Sequence, residues 1–271
     1  MFFRCGLLGE HISHSLSPRI IEWGLRTCGL EGEYLLYDLP RDRAQELAGT
    51  FGWHGLNVTT PHKTAALSWC ECLTERAKTV GAVNVLLRRN SAVWGDNTDV
   101  FGCEYALRRY SNSRREIRRA LIIGSGGAAR AVLIALNEVF APQEVFIASR
   151  DPQAAAARLG LVTSHLSPVQ YLSFSAAAEQ LDSFDIVVQA TPVEVPLPGP
   201  LRFISGALVM DLVYAPRLTR FLQAAARSGA QTENGLIMLI AQAAASFEIW
   251  TERTFPLERA LAELLPEFAA E

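Results

Sequence analysis

The sequence predicts an α/β protein of two domains, each built on a mainly parallel sheet, and three observations predict it. Short apolar runs rich in β-branched residues alternate with helical stretches from the first residues onward. One of these runs, "RALII", passes through a glycine turn straight into an alanine-rich helical stretch. At 271 residues the chain has room for two modest domains, and a hydrophobic content of 49% supplies their cores.

In chain order, "FFRCGLLG" reads as a strand and "SPRIIEWGLRTCG" as a helix, with Pro18 in its first turn and Gly29 near its end. "EYLLYDL" is a second strand, "DRAQELAGTF" a helix, and "GLNVTTP" a third strand stopped by Pro61. "HKTAALSWCECLTERAKTVG" is expected to be helical, and "AVNVLLRR" with "AVWGDNTD" to form a hairpin. Parallel strands joined by helices, with an antiparallel edge, make a first unit of about one hundred residues. The second unit begins at the glycine turn. "EVFIASR", "DIVVQAT" and "ALVMDLVY" are further strands, and such short continuous apolar runs fit a parallel sheet covered on both faces. After "GAQTENG" the chain is expected to be helical almost to its end. The expected division is residues 1–99, completed by 236–271, and residues 100–235, with hinges near Asp99–Phe101 and Gly235.

A formal net charge of −3 gives no reason to expect nucleic acid or an anionic membrane as partner. The basic run "RRYSNSRREIRR", Arg108 to Arg119, reads as a solvated helix end and linker. Five irregularly spaced cysteines fit reduced, mostly buried thiols, and no metal site is expected because "CEC" lacks partners at zinc spacing. Neither a leader pattern nor a run of membrane-spanning length is present, which points to a cytoplasmic protein. Either a monomer or a homodimer agrees with the sequence.

The turn Gly124-Ser125-Gly126-Gly127-Ala128-Ala129 fits G-x-G-x-x-A between a strand and a helix. Gly124 allows the tight turn, Gly126 lets a pyrophosphate approach the backbone, and Ala129 keeps the helix close to the sheet. The N–H groups that open the helix then face the phosphates, so the second unit is expected to be a Rossmann-like dinucleotide-binding domain. About 25 residues on, where NAD and NADP are told apart, the chain reads Ser149-Arg150-Asp151. An arginine fork suits a 2′-phosphate, whereas an aspartate accepts from a free 2′-hydroxyl and repels that phosphate. The two signals conflict. The place of Arg150 directly after the strand, with Arg158 one to two helical turns on, favours NADP and leaves NAD as the alternative.

Polar clusters mark the strand ends of the first unit: Ser15 and Ser17, Thr59 with Lys63, Asn84, and Asp96-Asn97-Thr98-Asp99. Ligands of open α/β sheets bind at the carboxyl ends of the strands. All of these clusters together, beside a dinucleotide domain, favour a polyhydroxylated or carboxylated small molecule as substrate.

"GLLGEHISHSLSP", "GLNVTTPHK", "GAVN", "GDNTD", "IGSGGAARA", "DLVYAPRLT" and "GLIMLIAQAAASFEIW" occur in the order and spacing of the shikimate dehydrogenase family, which the chain resembles over nearly its whole length. The resemblance implies reversible, NADP-dependent reduction of 3-dehydroshikimate to shikimate. It implies that Ser15 and Ser17 hold the substrate carboxylate, that Thr59, Asn84, Asp99 and Gln242 bind ring hydroxyls, and that Lys63 is catalytic. Tyr214 matches a tyrosine near the substrate, and Gly235 and Met238 match positions beside the nicotinamide. Thr191 lies on the loop expected near the cofactor. Gln242 falls in the last helical stretch, which should therefore fold back onto the first domain. The chain departs from the family pattern at Ile21 and Glu22, at Val85, at Ala154 in the NADP loop, and at Glu194, where a glycine is usual. These departures leave two alternatives: a quinate/shikimate dehydrogenase with relaxed choice of cofactor, and a catalytically silent binder of shikimate-like acids or nucleotides.

Overall fold

The computed structural model describes residues 1–50, 52–110, 116–163 and 168–269. The chain begins with β1 (Phe2–Gly9), α1 (Ser17–Thr27), β2 (Glu31–Asp38), α2 (Arg41–Gly49), β3 (Gly55–Val58), β4 (Cys72–Leu73), α3 (Glu75–Val80) and the hairpin β5 (Val85–Arg89), β6 (Ala92–Asp96). There follow α4 (Asp99–Arg108), β7 (Arg119–Ile123), α5 (Gly127–Phe140), β8 (Glu144–Ser149), α6 (Pro152–Thr163), β9 (Val169–Ser173) and α7 (Phe174–Glu179). The last elements are β10 (Ile186–Gln189), β11 (Leu208–Asp211), α8 (Arg220–Arg227), β12 (Gln231–Asn234), α9 (Leu236–Thr251) and α10 (Leu257–Ala269). Two compact units result: residues 1–102 with 239–271, and residues 103–238. No helix among the described residues is long and apolar enough to cross a membrane.

The first sheet runs β2-β1-β3-β5-β6-β4. β1 is parallel to β2 and β3, while β5 is antiparallel to both of its neighbours. This geometry brings the exits of β1, β3 and β6 and the entrance of β5 to one edge. There the Thr59 N–H donates to Leu8 O (2.8 Å), the Val58 N–H to Asn84 O (2.8 Å), and the Asn84 N–H to Asp96 O (3.1 Å). Asn84 therefore opens a strand rather than ending one, yet the antiparallel turn of β5 puts it on the same edge. The core beneath holds Leu8, Trp53, Leu56, Val58, Trp69 and Leu86. Each such side chain contributes roughly 1.5–3 kcal/mol on full burial. α9 is fixed to this sheet by Trp250, whose indole N–H donates to Leu86 O at 3.1 Å.

The second sheet is parallel throughout, in the order β12-β11-β10-β7-β8-β9. The strand order reverses between β7 and β10, and such a switch point is where doubly wound sheets open a crevice. Its core packs Leu121, Ile123, Phe146, Phe184, Phe203 and Phe221, with the Phe146 and Phe184 rings edge to face at 5.2 Å.

The stretch 62–81 is not one helix. A single 3₁₀ turn spans Ala65–Trp69, β4 then pairs with β6, and α3 starts only after Thr74, whose hydroxyl caps the Ala77 N–H at 3.2 Å. The helical period of 62–81 loses here to pairing: the Glu71 and Thr74 N–H groups donate to Val93 O and Gly95 O, both at 3.0 Å. The basic run 108–119 divides three ways. Arg108 meets Glu104 at 3.5 Å, residues 111–115 lie outside the described residues, and Arg119 is half-buried over the Phe146 and Phe184 rings at 4.6 and 4.8 Å. None of the five cysteines is in a disulfide; two are buried and three half-buried, and burial pushes Cys5 and Cys70 up to about 12.

Glu104 of α4 hydrogen-bonds the Glu138 carboxyl of α5, and burial first, then Glu138, pushes Glu104 up to about 7. The unfolded value is near 4.3. A raised carboxyl favours folding while it is protonated, so this contribution is present below the unfolded value and is lost as pH rises through 7. Glu138→Gln removes the like charge. Melting followed by circular dichroism should show the variant losing less stability than the parent between pH 5 and pH 8, with the two similar at pH 5.

Candidate active site

On the shared edge of the first sheet, Lys63 Nζ and Asp99 Oδ2 form an ion pair at 2.6 Å, with only 17% and 4% of the side chains exposed. Lys63 follows the exit of β3, its carbonyl held by the Val83 N–H at 2.8 Å. Asp99 opens α4, where the helix N-terminus favours its negative charge. Asn84 Nδ2 donates to the other Asp99 oxygen at 2.9 Å and lies 3.4 Å from Gln242 Oε1 on α9. Four of the expected substrate residues thus meet through their side chains. The cluster 96–99 divides its labour: Asp96 takes the Thr74 hydroxyl at 2.6 Å, and Asn97 holds Ala82 O at 2.9 Å and the Asp99 N–H at 3.0 Å.

The turn after β1 is organised by Asp38, whose two carboxylate oxygens accept from the His11 and Ile12 N–H groups at 3.0 and 3.3 Å. That turn leads to Ser15, whose hydroxyl accepts from the Ser17 N–H at 3.2 Å. The buried Ser17 hydroxyl bonds Tyr34. Tyr34 Oη donates to Asn57 Oδ1 at 2.8 Å, and Asn57 Nδ2 donates to Asn84 O at 3.2 Å. Ser15 and Ser17 therefore join the Asn84 group through two residues that sequence reading did not single out. Thr59 stands half-buried at the β3 exit and makes its bond through the backbone. His62 is buried, its Nε2 2.8 Å from Leu39 O, and serves the fold.

In the second unit, Gly124 has φ +117°, and a Cβ there would come within 3.0 Å of Ala190 O. Gly126 differs: φ is −87°, and a Cβ would meet no described atom within 4 Å. Neither a positive φ nor a close neighbour among the described residues calls for glycine at 126. Gly127 and Ala128 open α5, with N–H groups that its N-cap does not bond through a side chain. On the neighbouring strand exits, the buried hydroxyls of Ser149 and Thr191 have no hydrogen-bond partner among the described residues. An open cradle, unspent N–H groups and two orphan hydroxyls fit a bound diphosphate.

Arg150 is exposed, while Asp151 caps α6: Oδ1 accepts from the Ala154 N–H at 2.9 Å. Arg158 Nη2 reaches back to Ser125 Oγ at 3.0 Å. Glu194 is at negative φ and caps α8, accepting from the Arg220 N–H at 3.1 Å, so the missing glycine leaves no strain. Gln189, unread in the sequence, fastens the loop after β10: it donates to Thr191 O and Val193 O (3.1 and 2.6 Å) and accepts from the Thr191 N–H (2.6 Å). Tyr214 follows β11, Gly235 lies so close to Leu212 that a Cβ would be 2.2 Å from its carbonyl oxygen, and Met238 Sδ touches Cys103 Sγ at 3.5 Å. Among the described residues no group of three or more His, Cys, Asp or Glu could hold a metal ion.

Comparison with known proteins agrees with this architecture. The family model of the shikimate dehydrogenase substrate binding domain matches residues 7–86, and that of the shikimate 5′-dehydrogenase C-terminal domain matches residues 235–265. The chain is 37% identical to the shikimate dehydrogenase (NADP(+)) of Salinibacter ruber over 92% of each, and 32% identical to that of Bacillus subtilis over 94% of this chain and 93% of the relative. Its fold matches the shikimate 5-dehydrogenase of Thermus thermophilus in complex with NADP(H) and shikimate, with a TM-score of 0.81 at 31% identity over 99% and 98% of the two chains. The chain belongs to the shikimate dehydrogenase family.

Proposed function

We propose that the protein is a cytoplasmic, NADP-dependent shikimate dehydrogenase, acting as a monomer or homodimer, that interconverts 3-dehydroshikimate and shikimate. The observation that carries the reading is the part-buried Lys63–Asp99 pair at 2.6 Å, backed by Asn84 and Gln242. NADPH, when bound, supplies the hydride that reduces the ring carbonyl. As that carbon takes the hydride its oxygen becomes an alkoxide, and Lys63 Nζ–H delivers a proton there. In the oxidative direction the amine of Lys63 takes the proton back. Asp99 holds the ammonium in place and favours its charged form before transfer. Ser15 and Ser17 bind the substrate carboxylate, Thr59, Asn84 and Gln242 bind ring hydroxyls, and Tyr214 is a further substrate-binding residue. Gly124, Ser125, Gly126, Gly127 and Ala128 take the diphosphate, with Ser149 and Thr191 at its flanks. Gly235 and Met238 border the nicotinamide. The silent-binder alternative leaves a buried ammonium–carboxylate pair without a chemical task.

The choice of NADP gains support from Asp151. One of its carboxylate oxygens caps α6, and Arg150 and Arg158 stand beside it as cationic groups suited to a 2′-phosphate. Initial rates with shikimate, using NADP and NAD in parallel and quinate as competing substrate, test the whole reading. Shikimate turnover preferring NADP is expected, whereas preference for quinate or NAD would transfer the protein to the quinate/shikimate alternative. Arg150→Ala should raise the KM for NADP about tenfold, the loss of one charge-assisted contact, and change that for NAD less than about twofold.

A further inference from the structure

The hydrogen bonds behind the substrate residues form a circuit that runs from Tyr34 through Asn57, Ser246, Thr98 and Asn84 to Asp99. Ser246, fully buried on α9, has one proton, and its hydroxyl donates it to Gln242 O at 2.9 Å, four residues back along the helix. It accepts from Asn57 Nδ2 at 2.9 Å and shares a hydrogen bond with Thr98 Oγ1 at 3.0 Å. Thr98 Oγ1 accepts from Asn84 Nδ2 at 3.0 Å, while Asn84 Oδ1 accepts from the Thr98 N–H at 2.7 Å and lies 3.4 Å from the Thr98 hydroxyl. At the far end the Tyr34 proton on Asn57 Oδ1 fixes the orientation of that amide. One consequence concerns the ligand side. Asn84 Nδ2 has two hydrogens, and they go to Thr98 and Asp99 at 3.0 and 2.9 Å. Gln242 Oε1, at 3.4 Å, is left as an acceptor, and Gln242 Nε2 spends one hydrogen on Leu239 O at 3.0 Å and keeps the other.

We propose that Ser246 is a positioning residue: its hydroxyl closes this circuit through Asn57 and Thr98 and thereby fixes the amide of Asn84, with its oxygen on the Thr98 N–H and its hydrogens on Thr98 and Asp99, in the orientation in which it meets a ring hydroxyl. The part about the ring hydroxyl rests on the reading given under Proposed function. The orientation of the amide does not.

Two readouts on the full-length protein test it. In the ¹⁵N spectrum of the ligand-free protein, Ser246→Ala should shift the side-chain amide of Asn84 and speed its hydrogen exchange at least about tenfold, leaving Asn90 and Asn137 unmoved. In steady-state assays the same variant should raise the KM for shikimate about tenfold, with kcat and the KM for NADP changed less than about twofold. In an Asn84→Ala background the Ser246→Ala step should add little to that KM. An unmoved Asn84 amide, additive effects, or kcat and both KM values worsening together would overturn the proposal. If Ser246→Ala does not fold, Tyr34→Phe perturbs the same circuit from its other end and should shift the Asn84 amide; no shift there would also overturn it. A parent protein that turns over no shikimate would sink the functional reading, and the amide spectra would then decide the positioning role alone.

Discussion

Lys63→Ala is expected to lower kcat roughly a hundred- to ten-thousand-fold, the range associated with one general acid–base group, while substrate and cofactor affinities change only a few-fold. The reason lies in where the proton must go. Removing Lys63 leaves the alkoxide without an ammonium to protonate it, since the amides of Asn84 and Gln242 donate hydrogen bonds but do not give up a proton. Asp99 keeps partial compensation from Asn84 and from the N-terminus of α4, so the variant should fold. Lys63→Arg separates charge from proton transfer. A guanidinium keeps the ion pair but does not give up a proton in the neutral range, so its kcat should remain close to that of the alanine variant. Single-turnover rates with both variants, alongside circular dichroism, make the check. Near-parental turnover for Lys63→Ala would take the proton-transfer role away from this lysine and favour a silent binder.

Much of this frame could be read from the sequence because its strands are apolar runs ended by glycine, proline or polar residues. What escaped lacked that contrast. β12, "QTEN", is an edge strand without a single apolar residue, and β9, "VQYLS", is an edge strand with no fully buried position. β4 is two residues long and exists only because β6 lies beside it. α8 went unread although Thr219 caps it and Phe221, Leu222 and Ala225 bury one face. At the site, the residues that contact a ligand lie in polar clusters and could be found. Their supports could not. Tyr34, Asn57 and Ser246 lie inside strands and a helix, apart from the polar clusters at the strand ends, and only contacts across 23 to 189 positions of chain reveal their purpose. A polar residue on the buried stripe of a helix, as Ser246 is in "AAASF", was the signal available. Asp151 was read for one role only: its chemistry suggested a ribose contact, and Pro152 after it with the Ala154 N–H shows that one of its oxygens also caps α6.

Gly126→Asp separates the two reasons a glycine can stand in the turn after β7. Gly126 is the N-cap of α5 at φ −87° and ψ −169°, a conformation open to any residue, and its Cβ position is empty among the described residues. Aspartate is among the best N-cap residues, so a purely structural glycine predicts a melting temperature unchanged or raised by about a degree, and unchanged cofactor binding. A glycine kept for a diphosphate predicts the same stability but a different affinity. The new carboxylate would fill the cradle and face the phosphates with like charge, and the Kd for NADP should rise at least about a hundredfold, near 2.7 kcal/mol. Gly124→Ala is the counterpart: at φ +117° and 3.0 Å from Ala190 O, it should lower the melting temperature first and affinity only as a result. Calorimetric titration with NADP, paired with thermal melts of both variants, reads the difference. Unaltered NADP binding by Gly126→Asp would leave the turn a structural feature and move the cofactor away from α5.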